Sequence, residues 1–142
     1  MAKEHVTSRA AVLIPLYRKS MTVAEEYSFK NTLSALSKHD IYVICPKRLS
    51  AYFSALKKEK QLNFDIEFFS DNFFSGIGGY NQLLMSVDFY HRFDCYEYLL
   101  IVQTDGLVFA DQLEEWCDHN YSYIGAPWFQ GLTRPSLPLS FL

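Results

Sequence analysis

The chain has 142 residues, 49% of them hydrophobic and 17% aromatic, with a net charge of −3. That length suits one domain burying roughly two-thirds of its unfolded surface, and the plentiful Phe and Tyr supply a well-filled core. The acidic balance, with no basic run, argues against nucleic-acid binding, and no apolar stretch approaches the roughly 20 residues of a membrane span.

Residues 1–9 are polar and read as a flexible N-terminus. The apolar run Ala10–Leu16 predicts a first buried strand ending near Pro15. Thr22 and Glu25 have the spacing of a capping box, in which each side chain satisfies an otherwise orphan backbone N–H. The helix they open places Phe29, Leu33 and Leu36 on one stripe and ends near His39. Residues 41–45 predict a second buried strand stopped by Pro46, and residues 50–60 a short helix. Phe64, Ile66 and Phe68 alternate with Asp65 and Glu67, the period of a strand with one wetter face.

A glycine-rich turn over residues 75–79 leads into a helix over 80–91, with Tyr80, Leu83, Leu84, Val87 and His91 on one face. Leu99–Val102 reads as a central strand buried on both faces. Asp111 caps a helix that turns Leu113, Trp116 and Cys117 inward, and Tyr123–Ala126 is a candidate fifth strand interrupted by Pro127. Alternating strands and helices predict an α/β domain, Rossmann-like, with a mostly parallel sheet and helices on both faces. We place it over residues 10–130 and treat 131–142 as an irregular apolar tail, the mark of a fold incomplete at its C-terminus.

Cys45, Cys95 and Cys117 are odd in number and widely spaced, which fits reduced thiols in a cytoplasmic protein. His5, His39, His91 and His119 form no ligand motif and read mostly as surface residues.

The chemistry concentrates where the strand at 99–102 gives way to Gln103, Thr104, Asp105 and Gly106. Open α/β sheets hold ligands at the carboxyl ends of their strands. A carboxylate there, beside a glycine that admits close approach, can hold a metal ion bridging to a phosphate. The alternative is that Asp105 only caps the following turn. Residues 75–79 match neither a phosphate-binding P-loop nor the dinucleotide fingerprint. They either make a sharp helix entry or let a ligand approach near Gly79, with Asn81 offering its amide. Pro15, Tyr17, Arg18 and Lys19 lie at the end of the first strand: Arg18 or Lys19 meets a phosphate or is merely solvated, and Tyr17 stacks on a base or belongs to the core.

Four segments occur in order: Val-Leu-Ile-Pro-Leu-Tyr-Arg at 12–18, Gly-Tyr-Asn-Gln-Leu-Leu at 79–84, the run 96–109, and Tyr-Ile-Gly-Ala-Pro-Trp-Phe at 123–129. Together they resemble an uncharacterised bacterial family placed with nucleotide-sugar glycosyltransferases of the A-type fold, over roughly residues 10–130. The resemblance implies a nucleotide-diphospho-sugar transferase-like fold that represents the donor-binding half of a transferase. It implies binding of a nucleotide-diphosphate sugar, a UDP-sugar foremost, through Mn²⁺ or Mg²⁺ held by Asp105. Gln103 replaces the first acid of the family's Asp-x-Asp motif, and Asn81 matches an Asn near the donor.

A diphosphate carries about two negative charges into an acidic protein with few cations near this crevice. Like charges ~4 Å apart repel by ~4 kcal/mol at an effective dielectric of ~20, and a divalent cation reverses that sign. The acceptor half that follows in such transferases has no counterpart in residues 132–142, so no catalytic base is assigned and the acceptor is left open. The alternatives are a non-catalytic nucleotide-binding module and an interaction domain that forms a homo-oligomer through its apolar end.

Overall fold

The computed structural model describes residues 8–125. Within them four strands form one parallel sheet: β1 (Ala10–Pro15), β2 (Asp40–Pro46), β3 (Asp65–Phe69) and β4 (Tyr98–Ile101), in the spatial order β3-β2-β1-β4. Ala11 pairs with Asp40, Tyr42 with Asp65 and Ala10 with Tyr98. The helices are α1 (Val23–Ala35), α2 (Ser50–Glu59), α3 (Gly76–Leu84), α4 (Val87–His91) and α5 (Leu113–Asp118). This is the expected alternating α/β topology. Its strand order reverses between β1 and β4, the switch point at which such sheets open a crevice.

The pleat sends successive side chains of a strand to opposite faces, and the two cores follow from it. Val12, Ile14, Val43 and Cys45 point to one face and pack with Phe29 and Leu36 from α1 and its C-terminal end, Phe53 of α2 and, at the margin, Leu113 of α5. Ala11, Leu13, Tyr42 and Ile44 point to the other, against Leu83 of α3, Phe89 of α4 and Phe93. Thr22 opens α1 as expected: its hydroxyl accepts from Glu25 N–H at 3.2 Å, and the Glu25 carboxylate takes the Thr22 N–H at 2.7 Å. That backbone hydrogen bond, followed by the Thr22 hydroxyl, holds Glu25 below the usual carboxylate range.

Several elements differ from the sequence reading, each for a physical reason. Among the described residues the strand at 99–102 is not central. It lies at the edge of the described sheet, paired on one side only, so Leu99 and Leu100 are half-buried and Ile101 is 37% exposed. Helix 80–91 is two helices, because Ser86 ends α3 and caps α4 by accepting from Phe89 N–H at 3.3 Å; Val87 and His91 thereby leave the buried stripe. The glycines belong to α3 itself: Gly76 starts it at φ +82° and Gly78 and Gly79 lie within it. In β3 the inward residue at the far end is Phe69, while Phe68 is 42% exposed. Trp116 is 49% exposed rather than turned inward. Residues 123–125 form no strand; Ala126 and Pro127, the domain end at 130 and the tail 131–142 lie outside the described residues.

His39 is a further correction, being buried instead of superficial. Its Nδ1 lies 3.1 Å from Ser8 Oγ and its Nε2 2.9 Å from Asp111 Oδ1, so it ties the start of β2 to the segment after β4. Asp111 also accepts from Leu113 N–H at 3.3 Å, the capping role read from the sequence, one residue outside the cap position. Burial pushes the Asp111 carboxyl up, but the His39 hydrogen bond, the Leu113 N–H and the charges of His39 and Lys38 together bring it below its ordinary value. A carboxyl lowered in the fold contributes stability that is fully present above its unfolded value and lost as pH falls through the folded one. Asp111→Asn should therefore flatten the acid limb of the stability profile, read by thermal melts between pH 7 and pH 2.5; an unchanged acid limb would remove Asp111 from the account.

Candidate functional site

The switch point sets the two candidate loops side by side. Val102 N–H donates to the Leu13 carbonyl at 2.9 Å, so Gln103 and Asp105 emerge next to the end of β1, from which Leu16, Tyr17 and Arg18 continue. Pro15 and Leu16 are buried, and Leu16 N–H donates to Ile44 O at 2.8 Å. Pro15 thus shapes the floor and offers no side-chain polar group. Tyr17 is 53% exposed, which sets aside a core role. Arg18 lies over the Tyr17 ring, 5.7 Å from its centroid, and is paired with Glu25. Lys19 sits 5.5 Å from the Tyr52 centroid.

The edge is less poor in cations than the sequence reading held. Arg18 and Lys19 at the end of β1 and Lys47 and Arg48 just past β2 are all exposed along the carboxyl edge of the sheet. Glu25 neutralises Arg18, and Asp71 faces Arg48 at 3.4 Å. Lys19 and Lys47 remain without a carboxylate partner among the described residues.

On the β4 side, Gly106 N–H donates to the Gln103 carbonyl at 3.1 Å and closes a tight turn. That turn is held by backbone, not by the Asp105 side chain. Asp105 is exposed and its carboxylate has no partner among the described residues, so the turn-capping alternative has no hydrogen bond to support it. The loop is anchored from α1: Ser28 donates to Gly106 O, and Asn31 Nδ2 to Val108 O. Ser28 and Asn31 escaped the sequence reading because neither stands in a motif; their role comes from α1 crossing the loop 77–78 residues away in sequence.

Tyr80 is the other residue the sequence reading missed, since its place in an apolar stripe concealed its hydroxyl. Burial pushes the phenol up to about 12, with the Gln103 side chain acting in the opposite direction. Their geometry falls short of a formed hydrogen bond, and the Tyr80 hydroxyl is a buried side-chain atom without a hydrogen-bond partner among the described residues. Asn81 follows on α3, half-buried, with its carbonyl engaged by Met85 N–H at 3.0 Å. Gly79 faces protein: a Cβ there would lie 2.5 Å from Asn72 O and 3.1 Å from the Phe73 carbonyl. Packing of α3 on the 3₁₀ turn Asp71–Phe74 already requires glycine at this position.

Gln103 and Asp105 also line one end of a cleft of about 1750 Å³ along the outer side of β4. Pro15, Tyr17, Arg18, Gly79 and Asn81 do not line it. The candidate residues therefore divide into a β1 group and a β4 group either side of the switch point, with Tyr80 touching the second. Among the described residues no three His, Cys, Asp or Glu side chains gather as a metal site.

Residues 63–139, more than half of the chain, match a family described as "Protein of unknown function (DUF5672)". No curated protein matches the chain, and no solved structure does.

Proposed function

The chain belongs to the DUF5672 family, whose matched region contains Tyr80, Gln103 and Asp105 but not β1, and from that premise we propose that it is a nucleotide-binding module with its ligand at the β1/β4 switch point. The observation that carries this reading is the exposed Asp105 carboxylate, without a partner among the described residues, on a loop fixed by α1 and two residues after Gln103, whose side chain approaches the buried Tyr80 hydroxyl. Lys19 and Lys47 supply positive charge along the same edge, and Tyr17 a ring for a base.

A divalent ion fits this site only together with a phosphate. A single carboxylate is too few donors for a protein-only cage, but Mg²⁺ and Mn²⁺ are commonly held by one or two carboxylates plus phosphate oxygens and water. Asp105 would hold the ion, which supplies charge neutralisation to the diphosphate. Asn81 and Gln103 are the neutral hydrogen-bonding groups of the site. The nucleotide sugar as ligand, and sugar transfer as the activity, rest on the four ordered sequence segments; binding without transfer is the reading the geometry favours.

Uridine diphosphate should bind more tightly with Mn²⁺ than with chelator, and Asp105→Asn should remove most of that difference while leaving the melting temperature within a degree or two. A neutral amide is a far poorer ligand for a hard cation. Calorimetric titrations of both proteins decide the matter: affinity indifferent to metal and to Asp105 would sink the metal role, and no binding at all would sink the nucleotide reading.

A further inference from the structure

On the nucleotide reading above, we propose that Ser28 and Asn31 of α1 are positioning residues for the metal ion: they aim the Asp105 loop from behind and touch neither ion nor nucleotide. The stretch from Val102 to Gln112 contains no strand or helix, so no ladder of backbone hydrogen bonds sets its path. Side chains set it instead. Ser28 donates to Gly106 O, Asn31 Nδ2 donates to Val108 O, and His39, beyond the end of α1, holds Asp111 at 2.9 Å. Residues 28–39 thus fasten the segment at three points between Gly106 and Asp111.

The fastening is firm because α1 is. Phe29 and Leu36 seat the helix in the core, and the Thr22–Glu25 capping box closes its first turn. Ser28 is buried and Asn31 half-buried, so both hydrogen bonds lie largely out of water, where they are electrostatically stronger. Asp105 directly precedes Gly106, and its carboxylate is exposed with no partner among the described residues. Among those residues only the backbone fixes its direction, and Ser28 holds that backbone one residue on.

The first turn of the same helix carries the other half of the site. Glu25 pairs with Arg18 of the β1 loop. Glu25, Ser28 and Asn31 are spaced by three, so their side chains follow one another along one side of α1. One rigid helix thereby registers the β1 group against Asp105. The two halves should respond differently when its grip on the β4 loop is lost. A hard ion such as Mg²⁺ demands near-ideal ligand geometry, whereas the charges of Lys19 and Lys47 and the ring of Tyr17 do not act through the β4 loop. Loss of Ser28 or Asn31 should therefore cost the metal-dependent share of nucleotide affinity and spare the metal-free share.

The test uses the whole chain. Uridine diphosphate is titrated calorimetrically with Mn²⁺ and with chelator, and the ratio of the two affinities is the readout. Ser28→Ala and Asn31→Ala should each lower that ratio about fivefold, the equilibrium equivalent of one ordinary hydrogen bond, with the affinity in chelator changed by less than about twofold. Lys30→Ala, which removes an ion pair with Glu26 inside α1, should leave the ratio as it is. Side chains that merely held α1 in place would lower both affinities alike, so an equal loss in the two conditions overturns the proposal. A ratio left unchanged by one variant removes that residue from the role, and one left unchanged by both overturns the proposal outright. An unaltered chain whose affinity ignores Mn²⁺ instead sinks the metal role of Asp105 and this assignment with it, which keeps the two failures apart. If Ser28→Ala does not fold, Asn31→Ala decides alone.

Discussion

Phe89→Ala should lower the unfolding free energy by about 3–5 kcal/mol, the range for emptying a large buried aromatic site. Phe89 is 1% exposed, with ring centroids of Phe69 and Phe93 both 5.6 Å away and Tyr90 at 5.1 Å. It is the anchor of α4, a five-residue helix too short to hold itself together by propensity. A domain of this kind has only about 5–15 kcal/mol in total, so the variant should lose a large share of its stability. Urea unfolding measures it: the midpoint should fall with the slope unchanged. A loss under about 1 kcal/mol would mean that the site collapses around the missing ring and that α4 is held by something else.

Gly79→Ala should destabilise by about 1–3 kcal/mol, because the added methyl meets backbone and cannot be accommodated by rotating a side chain. The nearest atoms are Asn72 O at 2.5 Å and the Phe73 carbonyl at 3.1 Å. The same variant separates the two roles open to this glycine. If packing is the reason for it, affinity for uridine diphosphate, measured where the variant is fully folded, should stay within about twofold of the parent. A variant that melts normally but binds the nucleotide poorly would return Gly79 to the ligand.

The alternating α/β order, the first two strands, the Thr22 cap and the position of Asp105 at a strand's carboxyl end were legible in the sequence, because each is a local pattern. Two buried runs flanked by proline and a helix with a capping box leave few alternatives. What sequence could not supply was neighbourhood. The apolar run 99–102 looks like a buried central strand by composition, yet burial of β4 depends on what pairs with its outer side. The break at Ser86 was invisible because Leu84 and Val87 keep a helical spacing across it, while the Ser86 hydroxyl instead starts a new helix. At the site, Asp105 and Gln103 could be read from their place after the strand, but Ser28, Asn31 and Tyr80 act through contacts that no spacing encodes. His39 was misjudged for a related reason: its partners Ser8 and Asp111 lie 31 and 72 residues away.

The strand order carries a consequence for the route by which the chain reaches its fold. Ala11 meets Asp40 after 29 residues, whereas Ala10 meets Tyr98 only after 88. Closing the longer loop costs about 1 kcal/mol more in chain entropy, and β4 recovers it through one pairing edge where β1 and β2 each have two. The β1-β2-β3 half, assembled through two short crossovers, therefore forms first, and β4 docks late onto a surface already built. Reversal runs in the opposite order, so β4 and the Asp105 loop open while the other three strands still hold.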